Sequence, residues 1–140
     1  MSMSQGLTGE YLVAADLCRQ GYTAFLSASY QRYDLVVDVG TRLLRVQVKS
    51  TATVMLNVGS RMPTYRFRLW NTAEKTINPS EVDVVALVAV DSGHIAYLLP
   101  EDCAGRSLKL KPAGTPVHGR SKKNYNIDQL PFAEVLKELV

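Results

Sequence analysis

Four residues early in the chain are of types and spacings that suit the chemistry of a metal ion and a phosphate. They are Glu10 in "GEYLVAADLCRQGY", Asp34 in "RYDLVVDVG", and Gln47 and Lys49 in "LLRVQVKS". A hard divalent cation takes oxygen ligands and keeps part of its water shell. Asp34 offers a carboxylate, Gln47 an amide oxygen and Val48 a backbone carbonyl, so Mg²⁺ (or Mn²⁺) is the expected ion. Lys49 would then stabilise negative charge developing on a phosphate or attacking water. An acid followed thirteen residues later by Gln-x-Lys is a weak signal by itself. The elements that carry these residues give it weight.

"RVQVKS" alternates, which predicts a half-buried strand with Val46 and Val48 on one face and Arg45, Gln47 and Lys49 on the other. "RYDLVVD" predicts the preceding strand, and Gly40-Thr41 a tight type II′ turn between them. Pairing outward from that turn gives position numbers that sum to 81: Val37 opposite Leu44, Leu35 opposite Val46, Asp34 opposite Gln47. Opposed residues have Cβ atoms about 4.5–5.5 Å apart, so the last pair can share an ion. Asp38 falls roughly 13 Å away at about 3.4 Å per residue, too far to join. A bulge would shift this register by one.

Ser4 to Gln20 predicts a helix, with Leu7, Tyr11, Ala14 and Cys18 at helical spacing, Ser4 as a possible N-cap and Gly21 as the stop. Glu10 shares a face with Ala14 and Leu17, whereas Asp16 points elsewhere. An acid there either serves the site or sits half-exposed near a helix N-terminus, where acids are favoured anyway. Thr23 to Leu26 predicts a short strand. "TYRFRLW" alternates with Tyr65, Phe67 and Leu69 on one face. Val82 to Val90 reads as a central strand covered on both sides, with "HIAYLLP" as its hairpin partner after Asp91-Ser92-Gly93. Pro131 opens a final amphipathic helix. The expected fold is a single α/β domain over residues 1–140 with a mixed sheet.

Composition is that of an ordinary globular protein, 46% apolar and 21% charged over 140 residues. No apolar run is long enough for a bilayer, and no signal sequence opens the chain, so the expected location is cytoplasmic with no membrane partner. Cys18 and Cys103 are expected as reduced thiols. His94 and His118 stand far apart in turn-like contexts and are not expected to bind metal. Net charge is +3, unevenly spread: Arg106, Lys109, Lys111, Arg120, Lys122 and Lys123 fall between Ala104 and Tyr125 with no acid among them. Arg61, Arg66 and Arg68 form a second basic cluster. Both clusters fit phosphate contacts, or else a solvated charged surface.

The quoted segments, with "TYRFRL" and "EVDVVALVAVDSGHIAYLLP" more loosely, resemble the PD-(D/E)XK nuclease superfamily. The resemblance is strongest to its intron-associated homing endonucleases, in which Gln stands in the (E/Q)xK element. Archaeal-type Holliday junction resolvases are also similar in size and layout. The resemblance implies a restriction-endonuclease-like αβββαβ core, a mixed central sheet flanked by helices, and metal-dependent endonuclease cleavage of duplex or branched DNA. It also implies assembly as a homodimer or homotetramer. Glu10 matches the helix acid, Asp34 the metal-binding aspartate, Gln47 and Lys49 the (E/Q)xK pair, and Ser50 a phosphate-contacting position. Tyr33 replaces the nominal Pro, at a variable position. Gln47 removes one negative charge, which should weaken cation affinity and makes a second metal less expected. The alternatives are a catalytically inactive nucleic-acid-binding module on the same fold, and a small β-rich interaction protein unrelated to nucleic acid.

Overall fold

The computed structural model describes residues 3–28, 31–56, 62–72, 76–116 and 125–140. Helix α1 (Met3–Arg19) leads into strands β1 (Thr23–Leu26), β2 (Leu35–Asp38) and β3 (Leu43–Thr51). Short β4 (Met55–Leu56) and β5 (Pro63–Arg68) precede the central β6 (Val84–Ala89), its partner β7 (His94–Leu98), β8 (Ser107–Leu110) and helix α2 (Phe132–Leu139). A five-stranded sheet runs β1-β2-β3-β6-β7, and a three-stranded sheet runs β4-β5-β8. Only the β3/β6 pair of the large sheet is parallel, so that sheet is mixed, as the sequence predicts. Among the described residues between β5 and β6 the chain makes turns rather than the helix of an αβββαβ order. No described helix is long and apolar enough to cross a membrane.

The core lies in two slabs, one on each face of the large sheet. Val13 and Leu17 of α1 and Phe132 and Val135 of α2 pack on one face, against Leu35, Val37, Leu44, Val46, Val84, Ala86 and Val88. Tyr65, Phe67 and Leu110 of the small sheet cover the other, against Val85, Leu87 and Ala89. Every residue of β6 is therefore buried, which explains its unbroken apolar run. The β6/β7 hairpin forms as expected, with Gly93 at φ 77° closing it.

Helix α1 presents a different stripe from the one its apolar spacing suggests. Gly9, Val13 and Leu17 are buried, while Leu7, Tyr11 and Cys18 are exposed. Close packing decides this. The backbone at Gly9 lies so near β3 that a Cβ there would overlap the Ser50 hydroxyl. Spacing by four from a glycine sets the buried line, and periodicity of large side chains alone does not reveal it.

The β2/β3 ladder has the predicted register, from Asp38 opposite Leu43 to Leu35 opposite Val46. Gly40 takes φ 92°, the Val39 amide donates to the Arg42 carbonyl at 3.1 Å, and the Asp38 carboxylate accepts from the Gly40 amide at 2.8 Å. Beneath this hairpin Asp83 fixes the start of β3. It accepts from the Arg45 amide at 2.8 Å and from the Arg45 guanidinium at 3.1 and 3.2 Å. Burial alone would raise the Asp83 pKa. The bonds from the Arg45 side chain and backbone outweigh that and hold the carboxyl below its usual range.

Candidate active site

Asp34 stands one residue ahead of β2, at a bend in the chain that still touches β3. Its amide donates to the Val46 carbonyl at 2.8 Å, and its carboxylate accepts from the Val48 amide at 2.7 Å. The carboxylate is thus seated on the β3 backbone between Gln47 and Lys49. The pairing ends with Leu35 opposite Val46, so the expected Asp34–Gln47 pair does not form, and the bend seats the Asp34 carboxylate on the Val48 amide instead. In a strand the N–H and C=O of one residue leave on the same side. The Val48 carbonyl consequently points toward Asp34, where β2 no longer runs alongside.

Glu10 reaches this place from α1. It and Asp34 are close enough for a side-chain hydrogen bond between their carboxyl groups. Burial, and then the charge of and hydrogen bond to Asp34, push the Glu10 pKa from 4.5 up to about 7. A carboxyl raised in the folded state stabilises the fold below its unfolded pKa, and loses that contribution as pH rises through the folded value. In chelator, the melting temperature of the native chain should therefore fall relative to Glu10→Gln between about pH 4.5 and 7, with the two converging in acid. Parallel melting profiles across that range would contradict the carboxyl pair.

Gln47 and Lys49 share the face of β3 opposite α1. Gln47 is 6% exposed and lines a water-sized pocket of about 10 Å³ with Arg32, Ile77, Asn78 and Glu81. The Arg32–Glu81 ion pair, at 3.3 Å, belongs to the same wall. Half-buried Lys49 lines a much larger cleft of about 640 Å³ together with Arg66, Arg68 and Trp70. The structure thus joins Glu10 to Asp34 directly, and sets Gln47 and Lys49 on either side of the Val48 amide that holds Asp34.

Of the expected DNA-contacting residues, Arg66 and Arg68 are exposed on β5, and Lys109 lies directly across from Arg66 on β8. Their alternation with buried Tyr65 and Phe67 makes the outer face of the small sheet basic at the edge of the Lys49 cleft. Arg106 sits over the Trp70 ring, 4.8 Å from its centroid. Lys111 is half-buried and bridges to Asn126. Ser50 is turned the other way: its hydroxyl is buried beneath Gly9. In this arrangement it supports the α1–β3 crossing and is not presented to a phosphate. Arg120, Lys122 and Lys123, like Arg61 and His118, lie outside the described residues.

Sequence reasoning passed over Arg32 and Trp70. Arg32 stands two residues before Asp34 and lines the Gln47 pocket, and Trp70 closes the basic strand "RFRLW". Position beside a recognised motif was the available signal in both cases. His94 is exposed, and no group of three or more His, Cys, Asp or Glu suited to a metal occurs among the described residues. Among the described residues two acids meet here, Glu10 and Asp34, with the Gln47 amide and the β3 main chain as the neighbouring oxygen donors.

A mixed sheet with a helix acid meeting an aspartate at a β-hairpin, followed by Gln-x-Lys, defines a nuclease-type core. The profile of the PD-(D/E)XK endonuclease family matches residues 2–127, and the chain belongs to that family. Its fold is similar to that of a solved bacterial homing endonuclease, I-Ssp6803I, with a TM-score of 0.65 at 18% identity, over 87% of this chain and 81% of that one. No curated protein sequence matches the chain.

Proposed function

We propose that the chain is a divalent-metal-dependent endodeoxyribonuclease with its active centre at Glu10, Asp34, Gln47 and Lys49. The observation that carries this reading is the Glu10–Asp34 carboxyl pair seated on the Val48 amide. Two like charges held together in a half-buried place repel, and a cation relieves that repulsion. The donors suit Mg²⁺ or Mn²⁺: the Asp34 carboxylate, the Gln47 amide oxygen and the Val48 carbonyl as ligands, with Glu10 acting through water. Such an ion supplies Lewis-acid polarisation of the phosphate and an acidified water nucleophile. Glu10 accepts a hydrogen bond from the attacking water and orients it. Lys49 places its ammonium where charge builds on the phosphate oxygens. Arg66, Arg68 and Lys109 hold the backbone, with Arg106, Lys111 and the basic residues 120, 122 and 123 extending that surface.

The substrate is duplex or branched DNA, as homing endonucleases and Holliday junction resolvases would respectively cut. One centre cuts one strand, so a homodimer or homotetramer of this single domain, working in the cytoplasm, is the proposed assembly. Plasmid, linear duplex and four-way junction incubated with the protein should be cleaved in Mg²⁺ or Mn²⁺ and remain intact in excess chelator. Cleavage that persists in chelator would overturn the mechanism. Binding of all three without a product under any metal would establish the inactive binding module in its place.

A further inference from the structure

Trp70 is the only tryptophan of the chain, and it belongs to neither slab of the core, although its neighbour Leu69 is 1% exposed. It is half-buried and forms part of the wall of the Lys49 cleft. Its position is fixed twice: Arg106 lies over the ring at 4.8 Å, and Arg68 donates to the Trp70 carbonyl at 3.2 Å. A large aromatic ring is ordinarily placed where it buries most area. Here it is spent on a cleft whose other walls include Lys49, Arg66 and Arg68. The cleft's volume of about 640 Å³ falls within the range of sites that enclose a whole small molecule, about 300–1,000 Å³. A sugar–phosphate strand passing Lys49 would fill only part of a concavity of this volume. Cationic side chains that track a backbone, interleaved with an aromatic platform, are the means by which proteins hold unpaired bases.

We propose that this cleft seats an unstacked nucleobase against Trp70, next to the phosphate that Lys49 contacts. The inference rests on the nuclease reading of the Lys49 site and narrows its substrate. A base inside an intact duplex cannot reach the indole, so the DNA cut here carries, or is made to extrude, an unpaired nucleotide beside the scissile bond. Arg106 contributes by holding the ring in place and by cation–π attraction.

Because Trp70 is the sole tryptophan, intrinsic fluorescence reports on this site alone. The full chain in chelator and low salt is titrated with a thymidine octamer, and separately with an abasic octamer of equal charge. The thymidine octamer should quench the emission and bind roughly tenfold more tightly than the abasic one. By anisotropy of a labelled octamer, Trp70→Phe should keep most of that preference and Trp70→Leu should lose it. Equal quenching and affinity with both octamers in the native chain would overturn the proposal, even if a variant failed to fold. So would an undiminished preference in Trp70→Leu. Because chelator suppresses cleavage, these outcomes are read independently of catalysis: the nuclease reading fails separately, by absence of cutting once Mg²⁺ is restored.

Discussion

Asp34→Ala should leave no detectable cleavage, and Lys49→Ala should lower the rate at least about a hundredfold, with DNA binding retained in both. The asymmetry follows from what each side chain does. Removing Asp34 deletes the proposed cation's principal ligand and leaves Glu10 without its partner. Removing Lys49 deletes one preorganised positive charge, a loss usually worth two to three orders of magnitude. Affinity should survive because Arg66, Arg68 and Lys109, the proposed phosphate contacts, lie on the separate small sheet. Gln47→Glu should remain active and tighten the metal requirement, since it restores one negative charge. Gel assays of nicking, run beside anisotropy measurements of binding, decide the matter. Native rates in both alanine variants would remove these residues from the chemistry.

Gly9→Ala is expected to weaken both the fold and the active centre. An added Cβ overlaps the Ser50 hydroxyl and comes within 3.1 Å of the Ser50 Cβ and 3.5 Å of a Val48 methyl. The buried Ser50 hydroxyl must rotate out of its place, and the Ser50 Cβ at 3.1 Å requires α1 and β3 to part by a few tenths of an ångström. Overpacking of this kind costs about 1–3 kcal/mol. The better helix propensity of Ala returns up to about 1 kcal/mol. The urea midpoint should fall accordingly, and cleavage with it, because the adjoining Glu10 is carried off Asp34. Gly9→Ala combined with Ser50→Gly should recover most of the loss. If the single variant unfolds at the native midpoint, the close crossing of α1 over β3 is wrong.

The strand pattern, the hairpin register and the doubly covered β6 were legible in the sequence, because a period of two and a turn glycine constrain them directly. Glu10 was legible as an acid on the inward side of a helix. The buried stripe of α1 was not, since it depends on a glycine whose importance is the absence of a side chain. The small sheet was only half visible. β5 alternates clearly, whereas β8 is four residues inside a basic segment that reads equally well as surface loop. The bend at Asp34 was hidden as well: its carboxylate meets β3 through a main-chain amide, and sequence records no preference for that. Trp70 escaped because a single aromatic at a strand end looks like core until the core is seen to exclude it.

The β2/β3 pairing stops at Leu35 and leaves a notch in the ladder, and the oxygen facing it belongs to the peptide bond of residue 48 rather than to any side chain. Mutation cannot delete that atom; it can only relocate it by refolding the hairpin. In the proposed centre one ligand is thereby immune to genetic drift. Being neutral, it adds an oxygen without restoring the charge that Gln47 lacks, so the cation's charge would be met by Asp34 and Glu10 alone.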